Sequence, residues 1–410
     1  MMPTPGRCID AIGDVHGSLE QLRALLAKLG YFESAGRWQG PEGHGLVFLG
    51  DYVDKGPHPY ESYRLVRTLC EQGLALAILG NHDTNAIQFS ARRAERTISP
   101  RDAMRAALAA HHDGALPEGG WLRDHARRSE SGRLTNIVTH EDTLRRMNAE
   151  QYEEFIGWVR RLPAWIEISG RIRFVHAAWI DAAIRELDAW SAAGGAEPRV
   201  AGATALPSLG IVAPDFAHAS QALRSRLDAP TPYTDRQWCD LVDIGEGRKD
   251  ACNHKVTEAV AIALERLTKG IELPFPDKVA ILDVSGIERE NFRARWYHAP
   301  KDIPIESLAL MRRQTVESIP APVRSRSVPE KDLSPAHDGV AYPLDAPPVL
   351  FGHYGLAPSD FERGFHPKCA CLDYSGFHDG ELYAYRWRGE AEFARENFVS
   401  VPGAGREIPH

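Results

Sequence analysis

Apolar and polar positions follow one another along the first ninety residues in the order strand, loop, helix. Residues 8–12 form an apolar run that predicts a short buried strand. Leucines three and four positions apart then line one face of a predicted helix, in which Ser18 and Gln21 have capping-box spacing and Gly30 marks the end. The same pattern predicts a strand, a helix and a strand over 46–49, 60–72 and 74–79. This order indicates an α/β domain whose strands are buried on both faces.

Similar patterns return in two later parts of the chain. A helix and two strands are predicted over 152–162, 164–168 and 171–175. Strand-like runs come back near the C-terminus at 347–355, 370–375 and 381–387. The stretch from 85 to 150 is rich in Arg, Ala, His and Asp, and we assign no chemistry to it.

The middle of the chain has a different character. It contains stretches of Ala, Gly and Pro, one amphipathic helix near 254–269, and a polar segment rich in Ser, Pro and Arg. We expect this region to be an inserted cap over a core that is built from both ends of the chain. The expected division is 1–180 for the first part of the core, 181–345 for the cap and 346–410 for the C-terminal part of the core.

Composition narrows the class of protein further. The 410 residues, of which 43% are hydrophobic and 25% charged, are sufficient for a large core. A net charge of -8 gives no bulk attraction to nucleic acid, and no apolar run approaches the ~20 residues of a membrane helix. We therefore expect a soluble, cytoplasmic protein that binds neither membranes nor bulk nucleic acid. The oligomeric state does not follow from the sequence.

Short polar motifs follow five of the apolar runs. They are GDVHG at 13–17, GDYVDKG at 50–56, GNHD at 80–83, VHA at 175–177 and GHY at 352–354. A single motif of this kind is more often a turn with an ordinary histidine, but five together indicate one shared site. Carboxylates, imidazoles and one amide carbonyl suit two divalent ions with a carboxylate between them. The glycines allow sharp turns that direct these side chains into one cleft, which can bind a phosphate ester.

These motifs resemble those of the calcineurin-like metallophosphoesterases, and in particular the branch that contains serine/threonine protein phosphatases and symmetrical bis(5′-nucleosyl)-tetraphosphatases. The resemblance is strong over residues 8–90 and moderate over 155–180 and 347–390. It implies an α/β fold in which two sheets form an αββα sandwich, here with an inserted cap. It also implies a dinuclear metal site that holds Mn²⁺, with Fe²⁺ or Zn²⁺ as alternatives.

The resemblance assigns a role to each motif residue. It implies that Asp14 and His16 hold one ion and that Asp51 bridges both, while Asn81, His176 and His353 hold the second. In the implied mechanism a metal-bridging hydroxide attacks the phosphorus in line. His82, held by Asp83, then gives a proton to the leaving oxygen. Lys55 and Asn81 bind the substrate phosphate.

Two positions depart from patterns that are common among relatives. Lys55 stands where the family usually has arginine, so the charge is kept and the bidentate fork is lost. Gly355 stands where relatives outside this branch have a further histidine, so that GHYG offers only His353. Four arginines of the predicted cap could reach over the cleft: 293, 295, 312 and 313.

The motifs favour a phosphomonoester or nucleotide-type substrate. The alternatives are a serine/threonine phosphoprotein phosphatase, a phosphodiesterase and, in a different class, a non-catalytic metal-binding regulatory protein. The expected partner is accordingly a phosphorylated small molecule, a nucleotide or a phosphoprotein. Substrate choice depends on loops that differ between proteins of one fold, so the motifs alone do not decide between these substrates.

Overall fold

The computed structural model describes most of the chain, and all structural statements concern these residues. They are 8–94, 140–194, 206–231, 233, 234, 237, 238, 241, 258–282, 288–329, 341–376 and 379–403. Most of the stretch that is rich in Arg, Ala, His and Asp, 85–150, lies outside them. So does the polar part of the predicted cap that follows residue 329.

The first of two large sheets has six strands in the described residues. They are β1 (Cys8–Ile12), β4 (His44–Phe48), β5 (Ala75–Ala77), β16 (Asp373–Tyr374), β17 (Glu381–Trp387) and β18 (Phe398–Pro402). Strand order is β16-β17-β1-β4-β5, and β18 also pairs with β17. β1, β4 and β5 run parallel, whereas β17 is antiparallel to β1. The three parallel strands therefore end at the same edge of the sheet.

The second large sheet also has six described strands. They are β6 (Trp165–Ile168), β7 (Ile172–Val175), β8 (Gly210–Ala213), β13 (Val349–Phe351), β14 (Phe365–His366) and β15 (Cys369–Cys371), in the order β14-β15-β13-β7-β6-β8. β7, β13 and β15 are parallel. Only Leu372 separates β15 from β16, so the chain passes here from the second sheet to the first. Three two-stranded pairs complete the strands: β2 (Phe32–Ser34) with β3 (Arg37–Gln39), β9 (Glu272–Pro274) with β12 (Asn291–Arg293), and β10 (Ile281–Leu282) with β11 (Glu288–Arg289).

Helices surround the two sheets. In the described residues they are α1 (Leu19–Leu29), α2 (Pro59–Glu71), α3 (Asn81–Ala94), α4 (Glu141–Arg146), α5 (Ala149–Val159), α6 (Asp181–Ala192), α7 (Phe216–Asp228), α8 (Glu258–Lys269), α9 (Ile305–Leu308), α10 (Arg313–Ser318), α11 (Ala321–Arg324) and α12 (Phe361–Gly364). Three 3₁₀ turns cover Pro276–Lys278, Pro358–Asp360 and Arg395–Asn397. The buried side chains of both sheets belong to one hydrophobic core. The predicted two-sheet α/β fold is thereby confirmed.

The local patterns explain most boundaries of the first helices. α1 buries its leucine face and ends at Gly30, whose φ of 95° is the left-handed conformation that favours glycine. The capping-box prediction for this helix is wrong, because the Ser18 side chain makes no capping hydrogen bond and is buried without a partner. α1 therefore depends on the burial of its apolar face more than on its first turn.

One boundary of the predicted cap is also wrong. β8 lies inside the range 181–345 but pairs with β6 as the outer strand of the second sheet. α7, which follows it, packs against β8, β5 and α2 of the core. Residues 210–228 thus belong to the sandwich, whereas α6 and α8, which pack against each other, remain within the predicted cap. No helix in the described ranges has both the length and the apolar character needed to cross a membrane.

A buried ion pair joins β1 to β17 and generates a test of the fold. Asp10 is fully buried, and Arg386 on the neighbouring strand contacts its two oxygens at 2.7 Å (Nε to Oδ1) and 3.1 Å (Nη2 to Oδ2). Tyr31 donates a further hydrogen bond to Oδ2. We expect Asp10→Ala to lower the free energy of unfolding by about 3–5 kcal/mol, because the partly buried Arg386 and the Tyr31 hydroxyl then lose their buried partner.

Urea unfolding followed by circular dichroism measures this difference. The matched control is Glu362→Ala, which removes the acidic partner of Arg395 from an ion pair that is exposed on both sides. That variant should unfold like the wild type, since exposed pairs contribute little. An Asp10→Ala variant that is as stable as the control would show that the Arg386 pair does not hold the strands together.

Candidate metal centre

Side chains with metal-binding atoms come together where parallel strands end. Asp14 and His16 follow β1, Asp51 follows β4, and Asn81 follows β5 in the first sheet. His176 and His353 come directly after β7 and soon after β13, which are neighbours in the second sheet. Because these strands end at facing edges of the two sheets, one cleft receives all six side chains.

The Asp51 carboxylate is shared between two groups of potential ligands. One group combines it with His16 and His82, and the other with Asp14 and His176, and in each group the ligand atoms lie within 4.8 Å of one another. Oδ2 of Asp51 lies 3.5 Å from Nε2 of His16, while Oδ1 lies 3.4 Å from Nε2 of His176. The two oxygens of one carboxylate thus face two different sites, as a bridging ligand requires.

Asn81 and His353 extend the second group. Oδ1 of Asn81 is 3.0 Å from Nε2 of His176 and 2.8 Å from Nδ1 of His353. The structure therefore brings all the predicted metal ligands together. Asp14 completes the centre, with Oδ2 at 3.8 Å from Nε2 of His16 and with backbone N–H of His353 donating to both its oxygens.

The histidine tautomers fit a bound cation. Nδ1 of His16 donates to the carbonyl of Val53 at 3.0 Å, and Nδ1 of His176 donates to the carbonyl of Leu49 at 2.6 Å. In a neutral ring each Nε2 then carries a lone pair that points at the oxygens of the site. Backbone carbonyls on the far nitrogen are the usual partners of metal-binding histidines. The residues present therefore fit divalent metal ions of the borderline class.

Burial and charge shift the pKa values in the directions expected of a metal site. Burial, together with the charge of Asp373, raises the pKa of Asp14 well above its ordinary value. Burial of the His176 ring opposes its charged form, but the charges of Asp51 and Asp14 prevail and raise its pKa to about 10. The cluster therefore binds positive charge strongly, whether as protons or as metal ions.

Backbone strain is concentrated at this centre. His16, Asp51 and His353 have φ values of 47°, 54° and 74°, and Asp54 and Lys55 have φ values of 69° and 59°. Such left-handed conformations are uncommon for residues other than glycine and persist only where the surroundings impose them. Glycines next to the ligands have a different purpose. A Cβ at Gly80 would overlap Oδ1 of Asp51, and a Cβ at Gly352 would overlap Oδ1 of Asp14.

The expectation that Asp83 holds the His82 ring is wrong. Nδ1 of His82 lies 2.6 Å from Oδ2 of Asp54, and this contact is buried. Asp83 instead accepts hydrogen bonds from backbone N–H groups of Gly80, Asp51 and Tyr52, at 2.8, 2.9 and 3.3 Å. Asp83 lies in the first turn of α3, and its carboxylate is directed at these backbone amides and not at the imidazole. Burial and the charge of Asp51 raise the pKa of Asp83 to about 7.

Sequence reasoning missed several residues around His82. Asp54 lies inside the GDYVDKG motif, three residues after Asp51. Its place in this motif could have indicated a functional role. His140 and Thr143 also contact Asp54, through Nδ1 at 2.8 Å and Oγ1 at 2.5 Å. No pattern in the polar stretch before residue 150 distinguishes His140 from the other histidines there.

Positive side chains border the centre on both sides. Nζ of Lys55 lies 2.9 Å from Nε2 of His16, and Nη1 of Arg293 lies 3.4 Å from the carbonyl oxygen of His353. Arg293 belongs to β12 of the predicted cap and is the one of the four arginines that contacts a candidate ligand among the described contacts. Arg312 and Arg313 contact the loops around Gly355 and Asp360 instead. The charge of Arg295 acts on His298, away from the centre.

Comparison with known proteins agrees with this geometry. Residues 9–197 match the family model described as calcineurin-like phosphoesterase. This segment, which is just under half of the chain, is thus similar to the calcineurin-like phosphoesterase family. The match includes four of the five polar motifs, and it ends within the range that the sequence assigns to the cap.

Curated relatives carry the name bis(5′-nucleosyl)-tetraphosphatase. The asymmetrical enzyme PrpE of Oceanobacillus iheyensis is 44% identical over 81 residues, which is 20% of this chain and 32% of that protein. The symmetrical enzyme of Ralstonia nicotianae is 34% identical over 127 residues, covering 28% of this chain and 40% of that protein. The chain therefore spans less than half the length of these relatives.

Solved structures with a detectable likeness include other phosphoesterases. A metallophosphoesterase from Sphaerobacter thermophilus is 23% identical, covers 44% of this chain and 53% of its own, and gives a TM-score of 0.22. A cold-active protein-tyrosine phosphatase from a Shewanella species is 15% identical, covers 97% and 81%, and gives a TM-score of 0.37. At these values the likeness carries no information about substrate.

Metal binding should displace protons from the centre. With a pKa of about 10, His176 is protonated at pH 7 and must lose a proton before Nε2 can bind a metal. We expect addition of Mn²⁺ to the metal-free protein to release protons, and we expect its affinity to rise with pH by about tenfold per unit for each proton displaced. Calorimetry in buffers of different ionisation enthalpy measures both quantities.

Two variants test whether the described residues bind the metal ions and release the protons. Asp51→Asn should weaken binding of both ions together, because its two oxygens face both groups. His218→Ala, at a largely exposed side chain on α7, should leave the number of bound ions and released protons unchanged. Binding without proton release, or unaltered binding by Asp51→Asn, would contradict the described arrangement.

Proposed function

We propose that the chain is a two-metal phosphoesterase that hydrolyses a phosphate ester, on a phosphomonoester or nucleotide-type substrate. The observation that carries this proposal is the Asp51 carboxylate, shared between two ligand groups. Asp14 lies near His176 in these groups but also 3.8 Å from Nε2 of His16, and we assign Asp14, His16 and Asp51 to one ion. Asp51 with three further ligands would hold the other: Asn81, His176 and His353. His82, which lies near His16 and Asp51, is assigned to the substrate and not to a metal ion. Mn²⁺ is the ion that we propose for both sites.

Two such ions supply Lewis acidity to phosphate oxygens and lower the pKa of a bound water. The residues of the chain supply the remainder of the chemistry. Lys55 and Arg293 border the centre at His16 and His353, so that a phosphate held between them meets positive charge on both sides. Asn81 is close enough to contact a phosphate oxygen in addition to a metal ion.

His82 is the proposed general acid. Its Nδ1 is held by Asp54, and its Nε2 lies 4.0 Å from Oδ2 of Asp51, so this nitrogen faces the centre. The buried Asp54 carboxylate on Nδ1 fixes the orientation of the ring, as in other dyads of histidine and aspartate. His82 can then deliver the Nε2 proton to the leaving oxygen of the ester.

The names of the relatives support a nucleotide-type substrate. Both the asymmetrical and the symmetrical enzymes are named for cleavage of bis(5′-nucleosyl) tetraphosphates. Their likeness to this chain is confined to a minority of each sequence, so the part of the chain outside it can change the substrate. The described residues 258–282 and 288–329, which include Arg293 at the centre, are well placed to do so.

A substrate panel tests the proposal. We expect the Mn²⁺-loaded wild type to hydrolyse diadenosine tetraphosphate or a nucleotide phosphate with a higher kcat/KM than a phosphopeptide or a bis-aryl phosphate. Phosphate release, or chromatography of the nucleotide products, measures each reaction, with metal-free protein as the control. Preference for the phosphopeptide would favour a phosphoprotein phosphatase. Absence of turnover with Mn²⁺, Fe²⁺ or Zn²⁺ would favour a metal-binding regulatory protein.

The role of His82 has its own test. We expect His82→Asn to keep both metal ions and to lower kcat by about 10²- to 10⁴-fold on an alkyl phosphate, because the alkoxide leaves poorly without a proton. The loss on p-nitrophenyl phosphate should be much smaller, since that leaving group needs little protonation. Steady-state rates on the two substrates, together with the metal content, measure the difference. Equal losses on both substrates would exclude a general acid at this position.

A further inference from the structure

The buried carboxylate of Asp54 is held from the side opposite His82. Its Oδ2 accepts from Nδ1 of His82 at 2.6 Å. Its Oδ1 accepts from Nδ1 of His140 at 2.8 Å and from Oγ1 of Thr143 at 2.5 Å. Two imidazoles thus lie on the two oxygens of one carboxylate. His140 and Thr143 come from the start of α4, far along the chain from the motif that contains Asp54.

The surroundings of His140 fix its ring. The side chain is 1% exposed, and its Nε2 lies 3.0 Å from the hydroxyl of Tyr152, which also donates to the carbonyl of Ala86 at 3.1 Å. The rings of Phe89 and Tyr152 pack against it. Among the described contacts none joins His140 to a candidate metal ligand, so its polar contacts go to Asp54 and Tyr152.

Rotation of a carboxylate about its last torsion is soft, and a single partner does not prevent it. Asp54 is different, because two donors occupy Oδ1 and leave Oδ2 for His82. Thr143 also accepts the backbone N–H of Asp54 at 2.9 Å, at a residue with a φ of 69°. Burial alone would raise the pKa of Asp54, but His140 and His82 lower it below the ordinary range, so the carboxylate is charged. The α4 segment therefore determines where this charge lies.

We propose that His140 is a positioning residue for the reaction, which acts through Asp54 to hold His82 in the orientation of a general acid. The proposal rests on the proposed function, in which His82 protonates the leaving oxygen. It adds a third member to the pair of His82 and Asp54. The order of contacts is His140 Nδ1 to Asp54 Oδ1, then Asp54 Oδ2 to His82 Nδ1.

Two amide variants of His140 distinguish the hydrogen bond to Asp54 from the hydrogen bond to Tyr152. In His140→Asn the amide nitrogen replaces Nδ1 and can still donate to Asp54. In His140→Gln the longer side chain places its amide nitrogen near the position of Nε2, beside Tyr152, and Oδ1 of Asp54 loses that donor. We expect His140→Gln to lower kcat on an alkyl phosphate by about ten- to hundredfold, a part of the contribution of general acid catalysis. His140→Asn should recover most of this loss.

The leaving group distinguishes positioning from structural support. We expect the His140→Gln loss to appear in kcat and to shrink on p-nitrophenyl phosphate, with KM and metal content near the wild-type values. A purely structural role would lower the rates on both substrates alike. Equal behaviour of His140→Asn and His140→Gln, or wild-type kcat in both, would overturn the proposal.

The matched control is a histidine that contacts another buried aspartate. Nδ1 of His44 lies 3.2 Å from Oδ2 of Asp10, on the strands of the first sheet and outside the metal centre. His44→Gln should keep the wild-type ratio of rates on the two substrates. A change of that ratio in His44→Gln equal to that in His140→Gln would show that the effect comes from the fold and would overturn the proposal.

A second pair decides the question if the His140 variants do not fold. Thr143→Ser keeps the hydroxyl that donates to Oδ1 of Asp54, and Thr143→Val replaces it by a methyl group of similar size. We expect the leaving-group-dependent loss in Thr143→Val and its absence in Thr143→Ser. The same loss in both variants, or in neither, would overturn the proposal. Turnover by the wild type keeps this outcome separate from the proposed function, which fails only if the wild type itself hydrolyses no phosphate ester.

Discussion

The Asp51 carboxylate is the interaction on which the centre depends. It is 1% exposed, and Nε2 of His16 and Nε2 of His176 lie near its Oδ2 and its Oδ1, respectively. A buried cluster of this kind is unfavourable unless positive charge compensates it, either on protons or on metal ions. The left-handed backbone at Asp51 directs this carboxylate into the centre. Gly80 lies against the carboxylate, where any side chain would overlap it. Strain, burial and charge are thus concentrated on one residue.

The sequence was informative where short-range chemistry determines structure. Runs such as residues 8–12 and 381–387 became β1 and β17, and the motif glycines correctly indicated tight turns. All six predicted ligands meet in one cleft because each comes after a strand, and parallel strands end at a shared edge. Periodicity and strand-end chemistry were sufficient for this part of the fold and the site. The roles of these residues in catalysis stay predictions until they are tested.

Apart from the capping box at Ser18, the errors have a common physical origin, which is the contact between segments far apart in the chain. Asp83 follows His82 directly, yet the residue that reaches the ring is Asp54, because α3 turns the Asp83 carboxylate toward backbone amides. β8 lies within a stretch whose composition resembles a linker, and only its pairing with β6 reveals that it belongs to the sheet. His140 shows the same limit, since its partner lies in a distant motif. Local pattern carries no information about such pairings.

The passage of the chain between the sheets at Leu372 has a consequence for folding. His353, whose backbone N–H binds the Asp14 carboxylate, comes 339 residues after it, and β17 must still insert beside β1. During synthesis the ligands of the first sheet therefore emerge long before the last ligand and the strand that completes that sheet. Contacts of such long range are slow to form, and a metal ion that binds only the finished site would favour the folded state by mass action. Metal supply and completion of the C-terminal strands would then be thermodynamically linked.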